Sequence, residues 1–211
     1  MKLPHVYPIL DTQSLENRAC DPETAAHAWL DGGAQILQFR HKRPWTRPVL
    51  DQAERIASAC RERGAMFVIN DRADMAKLLR AGLHVGQDDL APADARGLLG
   101  ADALLGYSTH NPQQLHGAAA EPVSYVAFGP MFQTASKENP DPVVGLDALR
   151  VCRQHCNRPL VAIGGITRQN VVAVFAAGAD SVAVIGDLLP EDCTGANLRR
   201  RMEEWQQLAQ M

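Results

Sequence analysis

The chain has 211 residues, 46% of them hydrophobic, enough to bury a substantial core in one domain or two small ones. Its 21 Lys and Arg against 24 Asp and Glu leave a formal charge of −3, which argues against a nucleic-acid binder working through a general basic surface. Any anionic ligand must therefore be met by a local cluster of charge.

Apolar, strand-like runs alternate with helix-like stretches from end to end. Strands are expected over residues 6–11, 35–41, 66–71, 83–87, 103–109, 125–130, 160–164 and 181–187. Helices are expected over 22–31, 49–63, 73–80, 92–99, 112–119, 147–155, 168–177 and 198–209. Asp21-Pro22, Asn111-Pro112 and Thr167 read as helix starts, and Gly64, Gly82 and Gly178 as stops. Near-continuous apolar strands such as Met66-Phe-Val-Ile and Leu160-Val-Ala-Ile suit a parallel sheet covered on both faces. An open sheet has no reason to stop at eight repeats, whereas a closed barrel does. The expected fold is a single-domain (β/α)8 TIM barrel spanning residues 1–211.

The five cysteines are odd in number and scattered, and no His/Cys pair at metal spacing joins Cys152 and Cys156. Free thiols in a reducing cytoplasm are the expectation. The N-terminal Met1-Lys-Leu-Pro-His-Val-Tyr7 has no apolar signal core and no run reaches membrane-spanning length, so no membrane partner is expected.

In such a barrel the chemistry sits where strands run into the following loops. Gln38, Arg40 and Lys42 alternate, so they share one side of strand two, and two cations on an inward side need an anionic partner. Asp71 and Asp89 end neighbouring strands, about 5 Å apart, within reach of one Mg²⁺ that keeps waters and takes phosphate oxygens; helix capping is the competing role. Strand five ends in Ser108-Thr-His110, and strand six runs into Thr134, Ser136 and Lys137, hydroxyls and a cation that suit phosphate oxygens. Gly164-Gly165 and Ile185-Gly186 end strands seven and eight, where bare backbone N–H groups favour a phosphate. No Ser-His-Asp or Cys-His arrangement stands out. Trp45 is expected to pack locally rather than to cover a ring in the site.

The stretches Ile36–Lys42, Val68–Asp74, Leu83–Asp89, Gly106–Asn111, Phe128–Lys137 and Val161–Ile166, in this order, resemble the thiamine-phosphate synthase family. The resemblance implies coupling of 4-amino-2-methyl-5-hydroxymethylpyrimidine diphosphate to hydroxyethylthiazole phosphate, with Mg²⁺ as cofactor and small molecules as partners. It assigns Gln38, Arg40, Lys42, Asn70, Ser108 and Lys137 to the pyrimidine diphosphate, with Phe39 and His41 in the same binding stretch. Asp71 and Asp89 would carry Mg²⁺, and Thr134, Ala135, Ser136, Gly165, Ile185 and Gly186 the thiazole phosphate. Arg40, Lys42, Lys137 and Ser108 are the expected catalytic residues. Two departures stand out: Ser136 where the family usually has threonine, and Gly186 where it often has serine. The rivals are a thiazole tautomerase of the same barrel family, for which His110 is a candidate, and a non-catalytic phosphometabolite-binding barrel. The chain is compatible with a homo-oligomer.

Overall fold

The computed structural model describes residues 2–134 and 141–210. Eight parallel strands close into a barrel in sequence order: β1 (Val6–Asp11), β2 (Ile36–Arg40), β3 (Met66–Asn70), β4 (Gly82–Val85), β5 (Leu105–Thr109), β6 (Tyr125–Phe128), β7 (Leu160–Ile163) and β8 (Ser181–Val184). β8 returns to β1 with Val6 opposite Val182, which removes both sheet edges. Helices α1 (Thr12–Glu16), α2 (Pro22–Asp31), α3 (Arg47–Glu62), α4 (Ala73–Leu79), α5 (Pro92–Leu99), α6 (Pro112–Gly117), α7 (Gly145–His155), α8 (Val171–Ala176) and α9 (Gly195–Leu208) surround it.

Alternation along the strands splits the core in two. Tyr7, Ile9, Ile36, Val68, Tyr125, Ala127, Val161 and Ala183 fill the barrel interior. Val6, Leu10, Leu37, Phe39, Ile69, Leu83 and Val182 face outward and pack under the helices. Burial on both faces explains why these strands read as continuous apolar runs.

Helix starts follow capping chemistry. Asp21 accepts from Thr24 N at 2.8 Å ahead of Pro22, and Asn111 accepts from Gln114 N at 2.9 Å ahead of Pro112. Element boundaries differ from the sequence pattern where caps and turns decide them. α3 opens two residues early because Pro48 occupies its first turn, and α9 opens at Gly195 because Thr194 caps it. α8 starts late, since Asn170 Oδ1 accepts from Thr167 N at 2.8 Å and holds the preceding residues in a turn. β8 ends at Val184, before a 3-10 turn at Gly186–Leu188. The five-residue α1 was not foreseen; Asp11, the last residue of β1, caps it. Among the described residues no helix is long and apolar enough to cross a membrane.

Candidate active site

A cavity of about 410 Å³ opens at the C-terminal ends of the strands. Its floor is the inner layer of the barrel, and its walls are the first residues beyond each strand, as a (β/α)8 scaffold dictates.

One wall is charged. Asp11 is buried and joins Arg40 in an ion pair, while its other oxygen accepts from Ser14 N at 2.8 Å and Ser14 Oγ at 2.7 Å. The carboxylate that starts α1 thus also aims the guanidinium. Lys42, two residues beyond and on the same side, pairs with Asp71. Asp71 holds a left-handed backbone, φ 64°, a conformation that Asp tolerates and most residues avoid. Its N–H donates to His84 O at 2.8 Å, tying the end of β3 to β4. Asp89 Oδ2 accepts from Gly86 N at 2.7 Å and lies against Asp71. Burial, then the neighbouring Asp71 carboxylate, raises the Asp89 pKa above the usual carboxylate range. A carboxylate whose charge is disfavoured by burial and by a neighbouring carboxylate fits a divalent cation better than a simple cap. Among the described residues no group of three or more potential ligands forms, so such a cation would draw its remaining ligands from water and phosphate. Beside them Asn70 is buried, and its Nδ2 has no partner. A buried donor facing a cavity without an acceptor costs stability unless a ligand supplies one.

The opposite wall is mostly backbone. Gly165 takes φ 65°, and a Cβ there would stand 2.7 Å from Phe132 Cβ, so the turn admits only glycine. Asn170 Nδ2 donates to Gly165 O at 3.0 Å and holds that turn. Asp187 accepts from Arg168 Nε and from Trp205 Nε1, both at 3.0 Å, and so fixes the Ile185-Gly186 segment against α9. Gly186 lines the cavity with nothing within 4 Å of where a Cβ would lie.

A family profile described as Thiamine monophosphate synthase matches residues 6–188. A thiamine-phosphate synthase from Koribacter versatilis (strain Ellin345) is 44% identical over 99% of this chain and 97% of its own. One from Chloroflexus aurantiacus (strain ATCC 29366 / DSM 635 / J-10-fl) is 40% identical over 80% of this chain and 78% of its own. The solved thiamine phosphate pyrophosphorylase from Pyrococcus furiosus superposes with a TM-score of 0.84 at 26% identity, covering 97% and 95% of the two chains.

The chain belongs to the thiamine monophosphate synthase family.

Of the residues that the family resemblance singled out, Gln38, Arg40, Lys42, Asn70, Asp71, Asp89, Ser108, Thr134, Gly165, Ile185 and Gly186 line this one cavity. Ala135, Ser136 and Lys137 lie outside the described residues. The side chains of Phe39 and His41 do not line the cavity. The alternation that turns Gln38 and Arg40 inward turns Phe39 outward, where its ring lies 5.7 Å from Trp45 and 6.5 Å from His41. His41 Nδ1 pairs with Thr12 Oγ1 at 2.9 Å, away from the cavity. Both side chains brace the β2–α3 loop, and Trp45 packs there too.

Further residues line the cavity beyond those that the resemblance assigns. Asp11 ends β1 and reaches the cavity wall through its pair with Arg40. His110 sits on the wall with Nδ1 3.0 Å from Gly129 O and 3.5 Å from Asp141 Oδ2. Both neighbours are acceptors, so Nδ1 carries a hydrogen. On the floor, Tyr7 Oη and Tyr125 Oη are 2.8 Å apart, with Gln38 Nε2 donating to Tyr7 at 3.2 Å. His84 joins Tyr125 Oη at 3.0 Å and Ser108 Oγ at 2.8 Å. Strict alternation in β1, β4 and β6 would have placed Tyr7, His84 and Tyr125 inside.

Proposed function

We propose that the protein works as a thiamine-phosphate synthase by breaking the carbon–oxygen bond of the pyrimidine diphosphate in this cavity, and that the thiazole phosphate captures the methylene released. The observation that carries this reading is the convergence of Arg40, Lys42, Asn70, Asp71 and Asp89 on one wall, facing a glycine-backbone wall across the same cavity. One wall suits a diphosphate with a cation, the other a monophosphate.

In this reading Asp71 and Asp89 hold Mg²⁺. When bound, the ion supplies Lewis-acid charge to the diphosphate oxygens. Arg40, Lys42 and Lys137 neutralise the departing group, an electrostatic task that needs no protein nucleophile. Arg40 enters already aimed by Asp11, so little reorganisation accompanies charge build-up. Gln38, Asn70 and Ser108 hold the pyrimidine; the orphan amide of Asn70 gains its acceptor only with substrate present. The bond's electron pair leaves with the diphosphate. The thiazole nitrogen, placed by Thr134, Ala135, Ser136, Gly165, Ile185 and Gly186 around its phosphate, donates its lone pair to the cationic methylene carbon. Thiamine phosphate and diphosphate result.

A thiazole tautomerase would put His110 to work and leave the charged wall without a task. We further place the enzyme in the cytoplasm, which suits five free thiols, with small molecules rather than nucleic acid or membrane as partners. The test is Asp71→Ala and Lys137→Ala: each should lower coupling by orders of magnitude while circular dichroism stays native. Near-wild-type turnover in either removes its residue from the mechanism.

A further inference from the structure

Gln38, Tyr7, Tyr125, His84 and Ser108 come from five different strands, yet form one unbroken chain of hydrogen bonds across the barrel beneath the cavity. Tyr7 and Tyr125 are fully buried and His84 nearly so, so each of their polar hydrogens must find an acceptor inside the chain. With Gln38 Nε2 turned to Tyr7, that requirement fixes its direction. Gln38 Nε2 can only donate, so Tyr7 Oη accepts from it and must pass its own hydrogen to Tyr125 Oη. Tyr125 then donates to His84 Nδ1, the remaining partner within reach. A neutral imidazole accepting at Nδ1 carries its hydrogen on Nε2, and that nitrogen faces Ser108 Oγ at 2.8 Å. Ser108 therefore receives a hydrogen bond from the protein, and its own hydroxyl hydrogen is left for the cavity.

We propose that this chain makes Ser108 a one-way hydrogen-bond donor to an acceptor atom of the bound substrate, with His84 and Tyr125 as positioning residues. The proposal deepens the function given above and rests on it for the identity of the substrate. The fold makes room for the chain at some cost in side chains. Gly106 lies beside it on β5, and a Cβ there would overlap the Tyr125 ring and come 2.5 Å from His84 Nδ1. The His84 and Tyr125 rings stack at 5.6 Å with 26° between their planes, and His84 Nε2 lies 2.8 Å from Ser108 Oγ. The alternative direction is equally definite. A reversed Gln38 amide would send every hydrogen the other way, put the imidazole hydrogen on Nδ1, and make Ser108 donate to His84 in place of the substrate.

The test begins with the free wild-type protein, labelled with ¹⁵N-histidine, by long-range proton–nitrogen correlation at neutral pH. His84 is assigned by the signals missing in His84→Gln and by contacts to the Tyr125 ring. The Nε2–H tautomer is expected; the Nδ1–H tautomer overturns the proposal. This readout involves no substrate, so it stands or falls separately from the proposed reaction. Kinetics follow. His84→Gln, whose amide can still donate to Ser108, should keep turnover within about threefold, whereas His84→Leu should lose about tenfold. Tyr125→Phe should shift His84 toward mixed tautomers and lower kcat about tenfold, with KM nearly unchanged. Equal losses in His84→Gln and His84→Leu, or full activity in His84→Leu, would show that the chain only supports the fold.

Discussion

Asp11 carries two tasks, and its replacement separates them. One oxygen caps α1 through Ser14, and the other pairs with Arg40. Asp11→Ala uncaps the helix, costing about 1 kcal/mol. It also strands the guanidinium, which in a fully buried setting costs about 3–5 kcal/mol. Arg40 retains 19% exposure and opens on the cavity, so water takes up part of the charge, and about 2 kcal/mol is the better figure. Asp11→Ala should therefore lose about 3 kcal/mol of stability, and Asp11→Asn, whose amide still caps, about 2 kcal/mol. Removing a negative charge strengthens the pull on a diphosphate, while losing the pair lets Arg40 wander, so KM shifts little. Turnover has no such compensation and should fall by about tenfold to a hundredfold. Urea unfolding and steady-state coupling rates measure both effects. An Asp11→Ala protein within about 0.5 kcal/mol of wild type, with unchanged turnover, would refute the reasoning.

Burial pushes His84 down to about 4, whereas an unfolded histidine titrates near 6.5. As pH falls the unfolded chain takes this proton first, so stability present above about 6.5 is lost on the way down to about 4. The loss by pH 5 is about 2 kcal/mol, and His84→Gln should flatten that part of the urea-unfolding profile. Gly165→Ala forces a side chain into a left-handed turn against Phe132 and should abolish binding of the thiazole phosphate by calorimetry; unchanged affinity would show that this turn does not hold it. Gly186→Ser enters open space, so the variant should melt with wild type and, by adding a hydroxyl donor, lower KM for the thiazole phosphate severalfold. A raised KM would mean that the bare backbone is what the phosphate needs there.

The barrel was legible because its cause is simple: each strand is buried on both faces and each helix on one, which writes a repeating pattern from Val6 to Leu208. The short α1 was not, since five residues carry no periodicity and the capping Asp11 reads as the end of a strand. Within the cavity, Arg40, Lys42, Asp71 and Asp89 were legible because inward cations and paired aspartates contradict an apolar core, whereas Asp11 was not. The same alternation that brought out Gln38, Arg40 and Lys42 turns the side chains of Phe39 and His41 the other way, a difference that a resemblance spanning a continuous stretch does not register. Tyr7 and Tyr125 passed as ordinary core because nothing local marks an aromatic whose polar tip is satisfied 118 residues away.

The most direct measurement incubates the protein with the pyrimidine diphosphate and the thiazole phosphate, with and without Mg²⁺, and follows thiamine phosphate and released diphosphate together. One diphosphate per thiamine phosphate, formed only with the metal, is the expected result. Thiazole isomerisation without diphosphate release, or coupling at the same rate in a chelator, would contradict a cavity that works by steadying a departing anion.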